Sequence, residues 1–141
     1  MKILVVDDLR FNRKLMTKYL SAYGECDTAE NGLKAIEAVI KAWNEKKPYN
    51  LISTDIMMPE INGLEALVKI REFEKKQNIP KEKKIIAIVA SSKGDKKSII
   101  KAVSKGGAAA FLIKPVQKEK LIDEFEKLGI KNLPKKENTK V

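Results

Sequence analysis

The sequence predicts an α/β fold, a doubly wound five-stranded parallel sheet with helices on both faces. Two observations point to it. Short β-branched runs alternate with longer amphipathic stretches along the chain, the pattern of repeated strand–helix units. Several of those runs are apolar at every position, as strands covered on both faces must be.

Ile3-Leu4-Val5-Val6 reads as the first buried strand and stops at Asp7-Asp8. Residues 10–22 place Phe11, Leu15, Tyr19 and Leu20 at helical spacing, with Gly24 as the stop. Residues 25–29 form a weak strand. Asn31 is placed to cap a helix through about Trp43, whose apolar stripe is Leu33, Ile36, Val39, Ile40 and Trp43. The buried strand Leu51-Ile52-Ser53-Thr54 ends at Asp55. After Met57-Met58-Pro59 and Gly63, a helix runs to about Lys75 with Leu64, Leu67, Val68 and Ile70 apolar.

A charged connector containing Pro80 leads to the strand Ile85–Ala90, which ends at Ser91-Ser92. A helix from about Asp95 to Lys105 stops at Gly106-Gly107. The strand Ala110–Ile113 ends at Lys114-Pro115, and residues 117–128 form the last helix. Residues 129–141 carry Pro134 and four lysines and predict a basic, disordered tail, so the folded domain is 1–128.

At 141 residues the chain can bury a core without metals or disulfides. The single cysteine, Cys26, rules out a disulfide within the chain and suits a reducing compartment. The apolar run after Met1-Lys2 is too short for a signal peptide, and no stretch reaches the ~18 apolar residues of a membrane helix. A cytoplasmic protein is expected. The absence of histidine excludes imidazole general bases, imidazole zinc sites and a phosphohistidine made on this chain. The charge is uneven. Residues 1–75 hold 12 Lys+Arg and 12 Asp+Glu, so the net charge of +10 lies wholly after residue 75.

Reactive side chains fall at strand ends. Asp7, Asp8, Asp55, Ser91 and Lys114 each follow the apolar run of a predicted strand. In an open parallel sheet such ends meet at one crevice. Three carboxylates there repel one another, and a hard divalent cation, Mg²⁺, would relieve the repulsion. Each residue alone has a plainer reading. Aspartates end strands in turns, Ser91 could cap the next helix, Lys114 could be solvated, and Phe111 could be core.

In Val5-Val6-Asp7-Asp8, Asp55, Met57-Met58-Pro59, Gly63, Ser91 and Lys114-Pro115, residues 1 to about 128 resemble the receiver domains of two-component response regulators. The resemblance implies the CheY-like, flavodoxin-like strand order 2-1-3-4-5 and a signalling domain instead of a turnover enzyme. It implies Asp55 as phosphoryl acceptor, with slow self-dephosphorylation. Asp7, Asp8, Asp55 and the Met57 carbonyl would hold Mg²⁺, and Lys114 would pair with phosphoryl oxygens. Ser91 or its neighbour Ser92 would be the switch hydroxyl, moving with Phe111. The donor would be a histidine kinase or histidine phosphotransfer protein. The output would pass through the surface of the fourth helix, fifth strand and fifth helix.

Asn62, Ser91 and Phe111 stand where the family often has aspartate, threonine and tyrosine. In this chain the output region is basic, with Lys93, Lys96, Lys97, Lys101 and Lys105 near the fourth helix and Lys135, Lys136 and Lys140 in the tail. That charge has two readings, a solvated surface tuned for solubility or a face that steers an acidic downstream protein. A Mg²⁺-dependent phosphohydrolase would need a second acid two residues after the nucleophile, where Met57 stands, and a cap domain. A nucleic-acid-binding module would need stacking aromatics beside the lysines, and they are missing.

Overall fold

The computed structural model describes residues 1–92 and 96–132. In chain order they form β1 (Lys2–Val6), α1 (Arg10–Leu20), β2 (Glu25–Ala29), α2 (Gly32–Asn44), β3 (Leu51–Asp55) and α3 (Gly63–Lys76). A 3-10 turn at Lys81–Lys83, β4 (Ile86–Ser91), α4 (Lys96–Ser104), β5 (Ala108–Ile113) and α5 (Lys118–Lys127) follow. Every strand pairing is parallel, and the order is β2-β1-β3-β4-β5, as the resemblance implies. Lys93, Asp95, Lys135, Lys136 and Lys140, with most of the basic tail, lie outside the described residues. No described helix is long and apolar enough to cross a membrane.

Strand alternation sorts the core into two layers. Ile3, Val5, Leu51, Ile88, Ala90 and Leu112 pack with Met16 and Leu20 of α1 and Leu121 and Phe125 of α5. Leu4, Val6, Ile52, Ala87 and Val89 face the other way, onto Ala35, Val39 and Ala42 of α2, Leu67 and Ile70 of α3, and Ala102 of α4. Strands β1 and β3 are central and almost wholly buried. Strand β4 is buried as fully, and its run Ile85–Ala90 is the one the sequence marks most strongly.

The expected stripe holds in α3, where Leu67 and Ile70 are buried, and only in part in α1 and α2. Phe11, placed in the α1 stripe, is 76% exposed, and α1 buries Met16 and Leu20. In α2 the buried face is Ala35, Val39 and Ala42, while Leu33 points outward. Small alanines let α2 lie close to the sheet and α3, and a stripe drawn through the largest side chains misses that preference. Helix α1 ends at Leu20, and Gly24 is not its stop. Gly24 lies against the Met1 carbonyl, where a Cβ would collide.

Among the described residues, two helix starts have side-chain caps. Asn31 Oδ1 accepts the Lys34 amide at 2.8 Å, as the sequence predicts. Asn62 and Glu65 form a reciprocal capping box on α3, with bonds of 2.9 and 3.1 Å. On the α3 side the carboxylate of Glu74 is 1% exposed and satisfied twice. Arg71 donates to Oε1 at 2.7 Å and the Ile85 amide to Oε2 at 2.8 Å. Arg71 also donates to the carbonyls of Gly106 and Gly107, fastening the carboxyl end of α4 to α3.

Candidate functional site

Four of the five strands deliver side chains to the carboxyl edge of the sheet. On β1 the alternation that buries Ile3 and Val5 toward α1 and α5 carries Asp7 to the same side, and on β3 Leu51 sets the same course for Asp55. Lys114 follows Ala110 and Leu112 of β5 by the same rule. These three meet. Lys114 Nζ lies 2.8 Å from Asp55 Oδ2 and 3.2 Å from Asp7 Oδ2. Carboxylate oxygens of Asp7, Asp8 and Asp55 all fall within 4.8 Å of one another.

Backbone bonds hold each group in place. The Asp7 amide donates to Ala29 O, its side chain accepts from the Leu9 amide at 3.0 Å, and Arg13 donates to its carbonyl at 2.8 Å. The Met57 amide donates to Asp55 Oδ1 at 3.2 Å. The Lys114 amide donates to the Ser91 carbonyl at 2.8 Å, and the Lys114–Pro115 peptide bond is cis. Gly63 starts α3 directly beneath Asp55, because a Cβ there would run into the Asp55 carbonyl oxygen. The Asn62 cap then fixes the helix start at that close approach. The Asn62…Glu65 spacing was a visible signal for the cap; nothing in the sequence shows the Gly63 contact.

Asp7 and Asp55 are 4% and 6% exposed. Burial pushes the Asp55 carboxyl above its usual range, and the Asp7 charge adds to that against the pull of Lys114 and the Met57 amide. For Lys114 burial favours the neutral form, but hydrogen bonds and charge from Asp55 and Asp7 outweigh it and raise the ammonium's pKa. The lysine thus stays charged between two acids. A cavity of about 300 Å³ opens beside them, bounded by Phe11 and Met16 of α1 and by Pro115.

Ser91 and Phe111 belong to the opposite face. Ser91 is in register with Ile113 and Phe111 with Val89, so all four lie on the α4 side. Ser91 is 1% exposed, with its hydroxyl 3.5 Å from the Ser92 carbonyl, whereas Ser92 is exposed. Phe111 and Ile113 are each more than 40% exposed.

The family model of the response regulator receiver domain matches residues 3–126. This chain belongs to the response regulator receiver family. Among this receiver's relatives, the chemotaxis protein CheY of Listeria monocytogenes is 33% identical over 129 residues, covering 90% of this chain and 97% of the relative. A CheX–CheY–BeF3–Mg²⁺ complex from Borrelia burgdorferi contains a chain of similar fold, with a TM-score of 0.73 and 27% identity. The alignment covers 93% of this receiver and 90% of that chain. The receiver domain of the histidine kinase CKI1 from Arabidopsis thaliana, complexed with Mg²⁺ and BeF3−, has a TM-score of 0.70 and 27% identity, with 89% of each chain covered. The protein is therefore a CheY-like receiver of two-component signalling.

Proposed function

We propose that this receiver accepts a phosphoryl group on Asp55 from a histidine kinase or histidine phosphotransfer protein, with Mg²⁺. The observation that carries this reading is the cluster of Asp7, Asp8 and Asp55, two of which, Asp7 and Asp55, share one ammonium, Lys114. The donor set fits the ion: three carboxylates supply hard oxygen ligands, and one lysine leaves their charge incompletely balanced. Asp7, Asp8, Asp55 and the Met57 carbonyl would hold it, and bound there it would spread the negative charge of the transferring phosphoryl oxygens. The relatives solved with Mg²⁺ and BeF3− support the same choice.

The chain's own groups do the positioning. The Asp55 carboxylate is the nucleophile, and the donor's phosphorus–nitrogen bond breaks as the acyl phosphate forms. Lys114 Nζ, already 2.8 Å from Asp55 Oδ2, stays as a cation for the new phosphoryl oxygens. Ser91 is the switch hydroxyl in preference to Ser92, since it is buried at the end of β4 and its present hydrogen bond is long. When that hydroxyl turns to the phosphoryl group it vacates space on the side of Phe111.

The signalling face is α4, β5 and α5. Ile100, Val103, Phe111 and Ile113 are exposed there, beside Lys97, Lys101 and Lys105. An apolar patch ringed by lysines suits an acidic protein partner. Acetyl phosphate with Mg²⁺ should add one phosphoryl group to the chain by mass spectrometry, and Asp55→Asn should abolish it. Labelling of that variant at the normal rate would move the acceptor elsewhere.

A further inference from the structure

At the amino end of the sheet, away from the carboxylates, lies a second concavity, a groove of about 1000 Å³. Trp43, Pro48 and Tyr49 line one part of it, and Lys81, Lys83 and Lys84 stand along another. The chain segments that build it, 44–50 and 75–86, hold seven lysines against two glutamates, Glu45 and Glu82. Lys46, Lys47, Lys81, Lys83 and Lys84 are exposed. Among the described residues none of them lies within 4.0 Å of a carboxylate.

The groove is built from fixed parts. Tyr49 Oη donates to Asp27 Oδ2 at 2.7 Å, and Asn50 Oδ1 accepts the Lys2 amide at 2.7 Å. The turn bearing the lysines closes through Lys83 N to Pro80 O at 2.9 Å. It is anchored at Ile85, whose amide bonds the buried Glu74. Little ordering is left to pay at binding.

We propose that this groove docks an acidic segment of a partner protein, seating an apolar side chain against Trp43 and Pro48 and carboxylates against Lys81, Lys83 and Lys84. Charge decides the sign of the occupant, and the apolar lining calls for more than a bare anion. A single-stranded nucleic acid fits less well. The Tyr49 ring is buried under the Lys2 ammonium, 4.6 Å from its centroid, which takes away a stacking face. Glu82 also interrupts the lysines that would track phosphates. Strand β3 separates the groove from Asp55 by about 13 Å of extended chain. Docking here is therefore compatible with either state of the acceptor and with a partner on α4–β5–α5.

The test titrates isotopically labelled full-length protein with an acidic hexapeptide carrying one central leucine, at low ionic strength. Amides of residues 43–50 and 81–86 should shift saturably. Lys81→Glu, Lys83→Glu and Lys84→Glu combined should weaken binding about tenfold or more, while reversing two exposed lysines of α1, Lys14→Glu with Lys18→Glu, should change it less than about twofold. Added salt should weaken it. The proposal fails if those amides do not shift, if the shifts lie only on α4 and β5, or if both sets of reversals weaken binding equally. It also fails if a thymidine oligonucleotide binds the same amides more tightly than the peptide.

Discussion

The two faces of the sheet are built to different standards. On the α1/α5 face, Asp7, Asp55 and Lys114 are interlocked by ion pairs and backbone bonds over a core closed by Leu20, Leu121 and Phe125. On the face toward α4, Phe111 and Ile113 of β5 and Ile100 and Val103 of α4 reach solvent. The segment after α4 is held by Arg71 on Gly106 and Gly107, and α4 itself is seated through Ala102. The contrast suits a signalling domain. Phosphoryl transfer needs fixed geometry, whereas a switch needs an element whose alternative positions differ little in free energy.

The largest test of this contrast sets one phenylalanine against another. Phe125 is fully buried and meets the Tyr23 ring edge-on at 4.5 Å. Phe125→Ala should cost about 3–5 kcal/mol in urea unfolding. Phe111→Ala should cost less than about 1 kcal/mol. Equal losses would mean that the α4 side is as tightly packed as the other.

Next is the clamp on α4. Arg71→Ala leaves the Glu74 carboxylate short of a partner and frees two carbonyls, and should cost about 1.5–3 kcal/mol. Hydrogen exchange should rise near Gly106 and Gly107 before it rises in α5. Unchanged exchange there would show that α4 is held by something else.

The acidic cluster gives a test by pH and metal. Asp55 has its pKa raised by burial, so between its unfolded value and the raised one the folded state binds more protons than the unfolded. Its contribution to stability therefore falls as pH rises through that window. In metal-free protein, Asp55→Asn should remove this fall and raise the Tm at neutral pH. Mg²⁺ should raise the Tm of the wild type, and Asp8→Ala should remove that rise. A full Mg²⁺ response in Asp8→Ala would take Asp8 out of the ligand set.

The smallest effect on stability belongs to Ser91→Ala, about 1 kcal/mol or less, because the hydroxyl's hydrogen bond is long. Phosphorylation of Asp55 should persist in this variant, while the linked amide shifts around Phe111 and α4 weaken. Shifts as large as in the wild type would separate Ser91 from the switch.

The sequence by itself determined the strands, their order by family resemblance, and which residues stand at the carboxyl edge. Runs such as Ile3–Val6 and Ile85–Ala90 are legible because strands buried on both faces must be apolar throughout. Asp7, Asp55 and Lys114 are legible because each stands at the carboxyl end of a predicted strand. Only the tertiary structure decided which groups touch. Lys114, 107 residues from Asp7, reaches both Asp7 and Asp55, a pairing that a shared crevice alone does not specify. Likewise, a helical stripe counts apolar residues but not the closeness of packing, so the alanine face of α2 and the exposure of Phe11 were not visible. Gly63 falls between the two. Its presence is plain in the sequence, but the reason only glycine fits is the Asp55 carbonyl oxygen, brought there by the packing of α3 beneath β3.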